Sequence, residues 1–105
     1  MGSEMCIRDR QGSICDAIVT PTPGEITFPI LKALAGGGFA VSDDQTLRAM
    51  RYAFDTLKLV IEPGGAVALA AALFTDNLPS SDDLVVIVSG GNVDKAMFAK
   101  ALTIS

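Results

Sequence analysis

Leu84-Val85-Val86-Ile87-Val88-Ser89-Gly90-Gly91-Asn92 carries the topology of this chain. Five apolar, mostly β-branched residues read as a strand buried on both faces. Two glycines then let the backbone turn sharply and approach a neighbour closely. Asp94 to Leu102 reads as a helix after the turn. A strand, a glycine turn and a helix start put Ser89 at the carboxyl end of a parallel strand, where open α/β sheets hold their ligands.

Outward from that stretch, the order of elements predicts an α/β chain. Ile14 to Val19 reads as a short strand that enters the turn-rich Thr20-Pro21-Thr22-Pro23-Gly24. Asp16 within it is unusual, because a buried charge needs a partner; the other reading is a strand end facing water. Glu25 to Pro29 looks like a helix entry with Thr27 as a cap, closed by Gly36-Gly37-Gly38. Phe39 to Val41 is a brief extended piece. Ser42-Asp43-Asp44-Gln45 is a capping-box pattern. It opens a helix whose stripe is Leu47, Met50, Phe54, Leu57 and Ile61. Pro63 interrupts that helix or ends it near Ile61. Ala66 to Phe74 reads as a helix apolar nearly all round, hence buried. Asn77 to Asp83 is a polar loop. Few strands accompany these helices, so the expectation is a partial three-layer α/β domain, one piece of a larger sheet.

Composition narrows the functions. The chain has 105 residues and a formal charge of −4, and its basic residues do not cluster. Nucleic acid is therefore not an expected partner. No segment reaches the about 18 consecutive apolar residues of a membrane span. The two cysteines, Cys6 and Cys15, make neither a metal spacing nor a disulfide framework, which fits a reduced, cytoplasmic setting. There is no histidine, so a Ser-His-Asp triad within this chain is excluded. Residues 1–11, which include MGSEMCIRDR, do not share the pattern of the rest and read as a leader, either a sequencing-adaptor remnant or a frayed native terminus.

Three clusters could carry chemistry. Ser89-Gly90-Gly91-Asn92 is a tight turn with Asn92 capping the next helix, or an anion cradle of backbone N–H groups, or a polar contact from the Ser89 hydroxyl to a cofactor ring. Glu62-Pro63-Gly64-Gly65-Ala66 puts a carboxylate at a helix start, either matching the helix dipole or facing a ligand across a glycine gap. Asp16-Ala17 is the third.

The combination of these segments, in this order, is more specific than any one of them. Ser13-Ile14-Cys15-Asp16-Ala17, then Pro23 to Ile30, then Lys58-Leu59-Val60-Ile61-Glu62-Pro63-Gly64-Gly65-Ala66, then Ser89-Gly90-Gly91-Asn92-Val93-Asp94 resembles the carboxyl-terminal part of the threonine/serine dehydratase and serine racemase family. These are the fold-type-II pyridoxal-phosphate enzymes. The resemblance covers residues 12–105, as the segment that closes the cofactor-binding large domain.

The resemblance implies pyridoxal 5'-phosphate as the cofactor. It implies that Ser89 hydrogen-bonds the pyridine nitrogen, with Gly90 beside it, Ala17 at a strand end near the cofactor and Glu62 lining the pocket. A neutral hydroxyl there makes the ring a weaker electron sink than a carboxylate would. The family pattern implies elimination of the β-hydroxyl of a small hydroxy amino acid to give a 2-oxo acid and ammonia. The family's Schiff-base lysine, mid-chain phosphate loop and metal ligands have no match here, so no catalytic residue is assigned. The expectation is a fragment, inactive alone, whose intact parent is a homo-oligomer acting on a small amino-acid substrate. Serine racemisation by the intact enzyme, or a non-catalytic phosphate-binding α/β module, are the other readings.

Overall fold

The computed structural model describes residues 13–18, 24–76, 78 and 82–104. The leader, Val19, the Thr20 to Pro23 loop and much of the Asn77 to Asp83 loop lie outside the described residues. Four α-helices organise the remainder: α1 (Thr27–Leu34), α2 (Asp43–Tyr52), α3 (Pro63–Phe74) and α4 (Lys95–Thr103).

The core forms where α2 packs on α3 and, less extensively, on α4. Its buried residues include Leu47, Ala49, Met50 and Ala53 from α2 and the turn that follows, and Ala66, Leu69 and Ala70 from α3. Ile61 and Ala101 complete it. Alanines on facing surfaces let the backbones approach closely, so the contact is dense although few large side chains take part. The Arg51 guanidinium donates to the Ile104 carbonyl and ties the end of α4 to α2.

Helix α2 starts as its sequence predicts. The Ser42 hydroxyl accepts from the Gln45 N–H at 3.1 Å, and Gln45 Oε1 accepts from the Ser42 N–H at 3.0 Å. This satisfies two of the free donors of a helix start. Its other end differs from expectation. After Tyr52 the chain enters a π-helical turn, Ala53–Leu57, and Lys58 closes it in the left-handed region at φ 61°. A π turn adds residues per turn and rotates the stripe. Ala53, four residues after the buried Ala49, is still on the core face, while Phe54 is 37% and Leu57 47% exposed. Ile61 still reaches the core, from beyond the helix.

The other expected caps also shift. Thr27 lies inside α1, and Ile26 occupies the N-cap position with helical dihedrals and no side-chain bond. The Asp94 carboxylate, not Asn92, caps α4, accepting from the Met97 N–H at 2.7 Å.

No β-ladder forms among the described residues. The expected first strand is instead a 3-10 turn, Asp16–Ile18, with Asp16 exposed and Cys15 buried beneath it. Residues 85–88 keep a period of two, with Val86 and Val88 packed against the core and Val85 and Ile87 85% and 74% exposed, while Leu84 is exposed as well. That is the register of a strand with one face covered rather than two. A strand acquires its ladder only from neighbours, and the described residues supply none beside it. Helix α1 is likewise uncovered: it has no buried residue, and Leu34 is 80% exposed. Helix α3 buries one face only, through Pro63, Gly65, Ala66, Leu69 and Ala70.

Candidate functional site

The two motifs that flank the core meet. Glu62 is the N-cap residue of α3, with φ −83° and ψ 162°, and Pro63 fills the first helical position. That geometry suits proline, which needs no N–H partner there. From this corner the Glu62 N–H donates to the Gly90 carbonyl at 3.0 Å. One backbone bond thus joins residues 28 positions apart in the sequence.

Glycine makes the approach possible. A Cβ on Gly65 would lie 2.7 Å from the Gly90 carbonyl oxygen, and one on Gly91 would lie 2.5 Å from the Val60 carbonyl oxygen. A Cβ on Gly90 would lie 2.4 Å from Glu62 Oε1. The space that side chains would take at 65, 90 and 91 is filled by the protein itself. Gly65 and the Val60 carbonyl are therefore site residues that sequence reasoning left out. The recurrence of paired glycines in both motifs was the available signal.

Ser89 falls on the exposed phase of the 85–90 alternation, with Val85 and Ile87. Its hydroxyl takes no partner from the described residues. A solvent-facing, unengaged hydroxyl can donate to or accept from a ligand atom. Neither of two cavities elsewhere, about 340 Å³ beside Arg48 and Phe74 and about 330 Å³ beside Phe39 and Val85, includes Ser89 or Glu62.

The other predicted residues take simpler positions. Ala17 lies in the 3-10 turn, which packs against α3 and is tied to the junction through that helix. The half-buried Glu62 carboxylate makes no cap bond to α3. Lys58 donates to the Asp55 carbonyl at 2.9 Å, and Lys32, Lys95 and Lys100 are exposed on helices. Among the described residues no group of three or more acidic, cysteine or histidine side chains could hold a metal ion. Among them, too, no helix is long and apolar enough to cross a membrane.

The anion-cradle reading of the glycine turn meets a physical objection. A carboxylate lies against Gly90 and a carbonyl oxygen against Gly91, and the start of α4 already holds the Asp94 carboxylate. All three repel a phosphate. The ring-contact reading needs one neutral, accessible hydroxyl, which Ser89 provides.

Comparison with known proteins gives the family. The model of a family described as "Pyridoxal-phosphate dependent enzyme" matches residues 2–90. The chain belongs to that family. Its cofactor is pyridoxal 5'-phosphate, and the chain is an α/β segment of the fold-type-II architecture. A serine racemase from Dictyostelium discoideum is 36% identical over 89% of this chain. An L-threo-3-hydroxyaspartate ammonia-lyase from Pseudomonas sp is 33% identical over 90%. The crystal structure of a T.th. threonine deaminase superposes with a TM-score of 0.74 over 88% of the chain, at 34% identity. The chain spans 29%, 30% and 37% of the length of these three proteins, respectively. The family resemblance read from the two motifs is thus upheld, with lyases and racemases both among the relatives.

Proposed function

We propose that residues 12–105 form the part of a cofactor-binding domain that presents Ser89 to the ring nitrogen of pyridoxal 5'-phosphate, in an enzyme acting on a small hydroxy amino acid. The observation that carries this reading is the Ser89 hydroxyl, exposed and unengaged at a junction built from glycines. The residues present fit one portion of the cofactor, its nitrogen edge. When bound, the cofactor supplies an electron sink for charge developing at the substrate α-carbon.

This chain's residues set how strong that sink is. Ser89 offers a hydrogen bond without a formal charge, and Gly90 and Gly91 hold it in place by their close contact with Glu62 and Val60. Glu62 lines the same corner. No residue of this chain is assigned to bond making or breaking. The amino-terminal portion that the relatives have in addition would supply the lysine and the phosphate loop. It would also cover the outward faces of α1 and of 84–88.

β-Elimination to a 2-oxo acid and ammonia is the first reading of the reaction, in line with the ammonia-lyase and threonine deaminase among the similar proteins. Racemisation of serine is the second, favoured by the 36% identity to a serine racemase. A homo-oligomer and a cytoplasmic setting complete the proposal.

Co-expression with the amino-terminal portion of a related enzyme tests it. The expected result is visible absorbance of bound cofactor and formation of a 2-oxo acid from L-threonine or L-serine, with neither from the chain alone. Accumulation of D-serine without 2-oxo acid would move the assignment to the racemase. Absence of cofactor absorbance from a folded complex would remove the proposal.

A further inference from the structure

The Glu62 carboxylate stands at a helix start but makes no hydrogen bond to it. Helices α2 and α4 are closed by the side chains of their N-cap residues, Ser42 and Asp94. Glu62 has the same extended N-cap dihedrals, yet its side chain makes no cap bond. A capping interaction is worth about 1 kcal/mol, so the unused position is a local loss of stability. The carboxylate lies instead where a side chain of residue 90 would be, with Oε1 2.4 Å from that Cβ position.

Residue 90 is held from three directions. Its carbonyl accepts from the Glu62 N–H, its carbonyl oxygen also abuts the α-carbon of Gly65, and its own α-carbon faces the Glu62 carboxylate. The 90–91 peptide, which owns that carbonyl, can turn little within the clamp, and the nitrogen of the 89–90 peptide is confined beside it, 3.1 Å from where a Gly65 Cβ would stand. Of the three, only the carboxylate is a side-chain group, and so only it can be removed without moving backbone.

We infer that Glu62 is a positioning residue for Ser89: its carboxylate acts as the missing side chain of residue 90, a wedge that fixes the orientation of the 89–90 peptide and with it the direction of the Ser89 hydroxyl. The wedge works by shape, so an isosteric amide replaces it. It gives Gly90 a role distinct from backbone freedom: the absent side chain leaves room for the carboxylate. The inference rests on the proposed role of Ser89 for its functional meaning, but the coupling itself requires no cofactor.

The test uses the full chain, without cofactor, in solution NMR. The Ser89 amide and Cβ signals and its χ1 rotamer populations are recorded for wild type, Glu62→Gln, Glu62→Ala and Gly90→Ala. Expected are wild-type signals in Glu62→Gln. In Glu62→Ala the Ser89 signals move and its rotamers broaden, and exchange protection of the residue 62 amide falls several-fold. Gly90→Ala, which evicts the carboxylate, should displace the Ser89 signals as Glu62→Ala does. Should Gly90→Ala fail to fold, the contrast between Glu62→Gln and Glu62→Ala decides alone. Unchanged Ser89 signals in Glu62→Ala overturn the inference, as does Glu62→Gln behaving like Glu62→Ala. Failure of the ring-nitrogen reading would show separately, as cofactor affinity in the reconstituted enzyme that Ser89→Ala leaves unaltered.

Discussion

Two sets of glycines in this chain do opposite things. Gly36 and Gly37 follow α1 and have nothing within 4 Å of where a Cβ would stand. Gly65, Gly90 and Gly91 join two segments so closely that every added Cβ would meet an atom of the partner at 2.7 Å or less. The first set punctuates the chain and leaves its surroundings empty. The second brings a helix start against the turn that follows Ser89. Residue type does not tell a spacer from a joint; what fills the missing side chain's volume does.

That contrast can be broken by substitution. The largest expected effect is at Gly91. Alanine there would press on the Val60 carbonyl, a backbone atom that cannot swing away, and should cost about 1–3 kcal/mol in urea denaturation. Gly65→Ala should cost less, because the clash with the Gly90 carbonyl is offset by about 1 kcal/mol of helix preference within α3.

Asp94→Ala sharpens the comparison from outside. Loss of the α4 cap should destabilise the chain by about 1 kcal/mol. If the joint is set by the contact of 60–65 with 90–91 and not by the cap, exchange protection of the Glu62 amide should fall no further than global stability does. Gly36→Ala should act with the opposite sign, raising stability by about 0.4–1 kcal/mol through the unfolded chain, with a higher urea midpoint as the readout. Gly90→Ala has the smallest effect among the joint glycines, about 1 kcal/mol or less, because the atom in its way is the end of a side chain that can move. A Gly36→Ala variant as unstable as Gly91→Ala would erase the distinction.

Local chemistry was legible in the sequence. Ser42 and Gln45 form the capping box their spacing announces, because both partners lie within one turn. The run 84–88 reads as apolar on both faces, yet only Val86 and Val88 are covered, since burial depends on elements that the stretch does not itself encode. The end of α2 was not legible. A π turn closed by a left-handed Lys58 has neither glycine nor proline to mark it. The first segment was misjudged because Cys15 is buried beneath a 3-10 turn rather than within a strand.

The site was legible by residue type and not by arrangement. Glu62, Gly90 and Ser89 were identified through the pair of motifs and lie at one corner. That the Glu62 carboxylate lies on Gly90 without a cap bond to α3 is a tertiary fact, and Gly65 takes its meaning only from the backbone opposite it.

The central claim concerns one atom pair, the Ser89 hydroxyl and the ring nitrogen of the cofactor. Its most direct test is the 15N chemical shift of ring-labelled pyridoxal 5'-phosphate in the enzyme reconstituted with a related amino-terminal portion, compared between wild type and Ser89→Ala. The account predicts a shift typical of a hydrogen-bonded nitrogen in wild type, its displacement in Ser89→Ala, and cofactor affinity about tenfold weaker, as loss of one buried hydrogen bond implies. An identical ring-nitrogen shift in the two proteins would contradict it.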